Sequence, residues 1–282
     1  MLLCLSAASL VAAAETVTYA RSGTPGDARD IYPLKLLQLA LDKSGTAKYV
    51  LQVSDTPMLQ GRAFVELAQG NTIRVAWGMT SIKRESELLP IRIPIYKGLI
   101  GWRLPLVRED RSEMFSEVRE LPDLRRFVAG QGHDWPDTDI LRGNGIEVIG
   151  VPLYESLFRM LPLGRFDYFP RSIVEIWAEE EQHRKDGIVI DQHLLIRYPT
   201  AFYYFVNKKD VALAETIRNG LERALADGSF DKLFCMQYAQ NIADARLEQR
   251  TTIVLLNPIL PPETPLARKE LWFAADLCPT GK

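Results

Sequence analysis

Histidine and cysteine are scarce, three of each in 282 residues. His133, His183 and His193 stand at no metal-ligand spacing from one another or from Cys4, Cys235 and Cys278, so no metal site is expected. The chain has no Gly-x-Ser-x-Gly elbow, no His-Glu-x-x-His pair and no glycine loop ending in Gly-Lys-Ser/Thr. Those absences remove the commonest signatures of hydrolase, zinc-protease and nucleotide-binding chemistry. A lone histidine near a cleft, as His133 would be, does not make an acid–base pair. Neither catalysis nor a cofactor is therefore expected. Lys and Arg number 34 against 36 Asp and Glu, a net charge of -2. No long basic run occurs, so nucleic acid is not an expected partner. Beyond Ala14 no apolar run is long enough to span a bilayer.

What is present is an ordinary globular composition, 47% hydrophobic and 25% charged. The length suits two units of common domain size better than one core. Met1 to Ala14 is apolar and ends in Ala12-x-Ala14, the form of a secretory signal with its small-residue cleavage site. It lacks the basic residues that usually precede such a segment, so the true start is expected upstream of Met1; an N-terminal core helix is the other reading. Export would leave Cys235 and Cys278 as a pair in an oxidising compartment, where a bridge and two free thiols are both open.

Short apolar runs alternate with amphipathic ones. Thr16 to Ala20, Tyr49 to Val53 and Ile73 to Trp77 read as strands. Pro33 to Lys43 and Gln60 to Ala68 read as helices closed by Gly45 and Gly70. This alternation implies an α/β unit with a mainly parallel sheet. Strands and helices from about Arg126 to Tyr198 repeat the pattern as a second unit set between two parts of the first. Tyr203 to Asn207 then returns as a strand, followed by a helix from Asp210 to Ala226 and another to about Leu247. The expected organisation is a signal segment 1–14, a first lobe 15–104 plus 202–257, a second lobe 105–201 and an extended tail 258–282. Two crossover strands make a hinge, and lobes on a hinge make a cleft that closes on a ligand.

Three stretches carry a family resemblance. Gly78-Met79-Thr80-Ser81-Ile82-Lys83-Arg84-Glu85 precedes Ile93-Pro94-Ile95-Tyr96; Leu163-Gly164-Arg165-Phe166-Asp167 enters the second lobe; Asp227-Gly228-Ser229-Phe230 follows the return strand. In this order they resemble the periplasmic solute-binding proteins of the type II fold, close to those that serve polar amino acid transporters. The resemblance covers roughly residues 16–247. It implies a monomeric periplasmic protein that delivers a small, carboxylate-bearing, amino acid-like ligand to an ABC-type permease. A ligand-sensing module of a signalling system uses the same fold, and an enzyme on this scaffold is a third reading.

The resemblance also implies site residues. Arg84, after the third strand, would clamp a carboxylate, since a planar guanidinium makes two parallel bonds to one. Thr80 and Ser81 would add hydroxyl bonds, or serve only the local turn. A helix opening near Asp134 would present free N–H groups. There Asp134 and Asp137 would repel a carboxylate and suit an ammonium, Asp134 being alternatively a helix cap; Thr138 fits either. After Asp167, Arg171 stands near where an acidic ammonium-holder is usual in the family. Either Asp134, Asp137 or Glu175 takes that part, or Arg84 and Arg171 face each other around a ligand with two anionic ends. Tyr19, Trp77, Tyr96, Trp102, Trp135 and Phe169 are candidate apolar walls or core, and Arg21 and Asp27 are lesser candidates. Glu179 to Glu181 and His183 read as solvated.

Overall fold

A computed structural model describes residues 14–22, 28–45 and 49–278. The signal segment, Cys4 and Asp27 lie outside the described residues, Ala14 excepted. Along the chain, strand β1 (Glu15–Ser22) is followed by helix α1 (Ile31–Lys43), β2 (Tyr49–Met58), α2 (Gln60–Gln69), β3 (Val75–Met79), α3 (Ile82–Glu87) and β4 (Leu89–Ile91). These are βαβ units, whose helical crossovers force parallel neighbours. Accordingly β2, β1 and β3 pair in parallel, and β3 is continued by β11 (Phe202–Val206) and β4 as antiparallel partners.

Next come β5 (Trp102–Arg108), α4 (Leu121–Leu124), β6 (Ala129–Gly132), α5 (Pro136–Gly143), β7 (Val148–Val151), α6 (Tyr154–Met160), β8 (Phe169–Ser172), α7 (Ile176–His183), β9 (Ile188–Ile190) and β10 (Leu194–Arg197). In this second lobe β6 and β7 are parallel, and an isolated parallel bridge ties Ala129 to Tyr168. Strand β5 is antiparallel to β8, β9 and β10. After β11 the chain forms α8 (Val211–Ala226), α9 (Ser229–Asp244) and β12 (Thr251–Val254). Strand β12, inside the range expected for the first lobe, pairs instead with β10 in the second sheet.

Helix α8 buries Leu213, Ala214, Ile217, Leu221 and Ala224, one stripe at helical spacing, against α1. The two backbones meet at Gly220, where a Cβ would stand 1.8 Å from the Ala40 carbonyl oxygen. Asp210 caps α8 by accepting from the Leu213 amide, and Gly228 (φ 76°) precedes Ser229 at the start of α9.

Two passes between the sheets, residues 92–101 and 198–201, run side by side. The Tyr198 amide donates to the Gly101 carbonyl at 3.1 Å and the Ile95 amide to the Phe202 carbonyl at 3.0 Å. The chain crosses again into β12 and returns past Ile259, whose carbonyl accepts from the Ile82 amide. The tail then reaches the crossing segments: the Phe273 amide bonds the Lys97 carbonyl at 2.8 Å, and Trp102 meets Phe273 edge to face. Lys97, almost fully buried, ties α9 to the tail through Asp231 at 2.7 Å and the Glu270 carbonyl at 2.8 Å. Cys235 and Cys278 are disulfide-bonded, fastening the tail to α9. Among the described residues no helix is long and apolar enough to cross a membrane.

Candidate functional site

A cavity of about 170 Å³ lies between the two sheets. One wall comes from the carboxyl ends of β1 and β3 (Ala20, Ser22, Ala76, Trp77, Met79) and the starts of α1 and α2 (Arg29, Asp30, Gln60, Phe64). The facing wall comes from the end of β6, the turn into α5, the start of α6, and β5 and β8 (Gly132, Asp134 to Asp137, Tyr154, Arg103, Arg171, Glu175). Carboxyl strand ends are where open α/β sheets leave a crevice, because the connecting loops diverge there. The walls touch across the mouth. The Arg29 guanidinium sits 3.9 Å over the Tyr154 ring. A Cβ on Gly61 would fall 2.5 Å from the Asp134 carboxylate.

Of the nine residues expected to hold a ligand, Trp77, Asp134 and Arg171 line this cavity; Arg84, Thr80, Ser81, Thr138, Asp167 and Tyr19 do not. Arg84 does follow β3, but its guanidinium folds back, donating from Nη1 to the Met79 carbonyl at 2.6 Å and from Nη2 to Gln60 at 2.8 Å while covering the Phe64 ring at 4.2 Å. Burial there brings its pKa down to about 10, against the opposing pull of Asp134 and Asp137. Thr80, fully buried, donates to Glu85 at 2.6 Å, and the Ser81 hydroxyl caps α3 by accepting from the Arg84 amide. Thr138 donates to the Gly132 carbonyl at 2.7 Å. Asp167 accepts from the Val128 amide and pairs with Arg111 at 3.2 Å. Tyr19 packs behind Trp77, ring centroids 5.7 Å apart. Asp134 is not a helix cap: α5 starts after Trp135, and no side chain caps it.

The second-lobe wall is a buried charge network. Arg171, 2% exposed, makes a forked contact with Glu179, Nε to Oε2 at 2.7 Å and Nη2 to Oε1 at 2.6 Å, and reaches Glu175 Oε2 at 3.1 Å. Arg103, equally buried, pairs with Asp137 at 2.6 Å and Glu175 Oε2 at 3.5 Å. Tyr154 donates to Glu179 at 2.7 Å, and Tyr198 donates to Asp137. Burial works against charge on Arg171, but Glu175 and Glu179 outweigh it and raise its pKa. Burial likewise pushes the Glu179 carboxyl up, yet the Arg171 charge and hydrogen bonds bring it below the usual glutamate range. Glu179 is thus a buried partner rather than a solvated helix end. His183 likewise stacks flat on Phe158 at 4.0 Å instead of standing in solvent.

Sequence reasoning missed Arg103, Asp30, Arg29 and Tyr154. A signal for Arg103 existed: an arginine inside the apolar run from Leu99 to Val107 has to find a carboxylate if that run is buried. Aromatic rings complete the cavity, with Trp77 donating to Asp30 at 2.9 Å and Trp135 stacked on Phe169. Among the described residues no group of three His, Cys, Asp or Glu side chains is placed to hold a metal ion.

Two α/β lobes with mixed sheets, the first mainly parallel and the second mainly antiparallel, around an interlobe cavity decide the architecture. The fold is that of the periplasmic binding proteins. An ancestral arginine-binding protein aligns at 18% identity with a TM-score of 0.57, over 80% of this chain and 97% of that one. An arginine-specific periplasmic binding protein of Salmonella typhimurium aligns at 15% identity and TM-score 0.58, over 80% of this chain and all of the other. A histidine kinase sensor domain similar to periplasmic binding proteins aligns at 19% identity and TM-score 0.59, over 80% and 96%. No protein-family model matches the chain. No curated protein matches it either.

Proposed function

We propose that this protein is an extracytoplasmic solute-binding protein that takes one small polar molecule into the interlobe cavity, without turnover, and delivers it to an ABC-type transporter. The observation that carries the reading is the cavity itself. Both lobes contribute to it, and it combines several aromatic rings with charged groups fixed by their neighbours. Closure around such a site excludes water and strengthens each polar contact inside it. The two adjacent passes at 92–101 and 198–201 serve as the hinge. The Cys235–Cys278 bridge supports an oxidising, exported location.

A thermal-shift screen with amino acids, dicarboxylates, amines and sugars tests the reading, because a ligand that binds only the folded state raises the melting temperature. At least one small polar class is expected to raise it, and to be recovered chemically unchanged. A flat response across all classes would refute solute binding. Deleting the gene separates delivery from sensing: uptake of the ligand falls if the protein delivers it, whereas a lost transcriptional response with normal uptake would make it a sensor.

A further inference from the structure

Of the guanidiniums around the cavity, Arg84, Arg103 and Arg171 are already held by hydrogen bonds or ion pairs, and Arg29 is stacked over the Tyr154 ring. Arg84 is held by Met79 and Gln60, which line the first-lobe wall. Arg103 and Arg171 carry Asp137, Glu175 and Glu179 at contacts between 2.6 and 3.5 Å. A carboxylate approaching Arg103 or Arg171 would have to displace one of these internal anions and leave it buried and uncompensated, which is the costliest arrangement for a charge.

The acids are placed differently. Both contacts of Glu175 go to its Oε2; Oε1 accepts no hydrogen bond among the described residues, and the side chain is 15% exposed on the cavity wall. Asp134, on the same wall and 36% exposed, lies against Gly61 of the first lobe, and its ion-pair contact is His133 at 3.9 Å. Counting Glu179 and Arg84 with the lining residues, five carboxylates face four guanidiniums, so the site carries one negative charge in excess. Trp77, Tyr96 and Trp135 complete the wall with ring surface, which attracts organic cations through the π quadrupole.

We infer that the cavity selects a small organic cation, an amine or guanidine that bears no carboxylate, with Glu175 Oε1 and Asp134 as its anionic contacts and the aromatic wall around its apolar part. This deepens the solute-binding reading and rests on it. It also departs from a ligand gripped by its carboxylate, as the position of Arg84 had suggested.

Calorimetric titration of the full exported chain with matched pairs tests the inference: agmatine and arginine, cadaverine and lysine, putrescine and ornithine, histamine and histidine. In the tightest-binding pair the decarboxylated amine is expected to bind at least about tenfold more tightly than its amino acid. Glu175→Gln should weaken that amine by about tenfold or more. Asp134→Asn, which removes no internal hydrogen bond, should weaken it severalfold with an unchanged melting temperature and so keeps the test valid if Glu175→Gln folds poorly. An amino acid that outbinds its amine, binding confined to dicarboxylates or sugars, or full amine affinity in both variants would overturn the inference while leaving solute binding intact. No binding by any class would bring down the solute-binding reading itself.

Discussion

Replacing Arg171 by methionine is the sharpest perturbation of the second-lobe wall. The substitution keeps the length and apolar contacts of the stem but removes three contacts, at 2.6, 2.7 and 3.1 Å, from Glu179 and Glu175. Glu179 is buried, with only Tyr154 left to donate to it. Breaking a buried pair from one side costs about 3–5 kcal/mol, because the remaining charge stays desolvated without its partner. The loss has a pH signature. In the parent, Glu179 is held below its ordinary value, so it contributes stability above about pH 4.3, its unfolded range, and that contribution fades as pH falls through the folded value. In the variant burial is opposed only by the Tyr154 hydrogen bond and the Arg29 charge, so the same group is expected to rise, and its folded form then favours the proton and is destabilised as pH rises. The gap between parent and variant should therefore be widest near about pH 8 and narrow toward about pH 5. Urea unfolding followed by circular dichroism at several pH values measures it, and adding Glu179→Gln to Arg171→Met should restore part of the loss. A cost below about 1 kcal/mol, or a gap that does not change with pH, would refute the reasoning.

Other outcomes follow from the same contacts. Reducing the Cys235–Cys278 bridge, which joins residues 43 apart, should cost up to about 4 kcal/mol in unfolded-chain entropy, seen as a lower urea midpoint in reductant. Arg84→Ala should lower stability by about 1–3 kcal/mol while changing ligand affinity less than about threefold by calorimetry, since its bonds go to Met79 and Gln60; lost binding at full stability would contradict this. Gly220→Ala should cost about 1–3 kcal/mol or more by chemical denaturation, because the new methyl meets the Ala40 carbonyl of α1.

The strand and helix order was legible in the sequence because hydrophobic period and glycine stops carry it: Ile31–Lys43 and Gln60–Gln69 lie within two residues of where the pattern placed them. The position of Arg84 shortly after β3 was legible too, but not the direction of its side chain. That depends on α3 starting immediately after Ser81, which turns the guanidinium back toward Met79. The acid run at Glu179 to Glu181 resembles a solvated helix end in any window of sequence. Burial of Glu179, on helix α7, goes with its pairing to Arg171, eight residues earlier on strand β8, a pairing that only the fold supplies. Asp137 and Arg103 have the same relation across a longer separation.

The most direct test of the central claim is a tryptophan-emission titration with the tightest-binding amine, since Trp77 and Trp135 face the cavity from opposite lobes. A saturable change in emission is expected in the parent protein, and its loss in a folded Trp77→Phe, Trp135→Phe double variant. An unaltered response in that variant, or none in the parent while calorimetry reports binding, would place the ligand elsewhere and contradict the account.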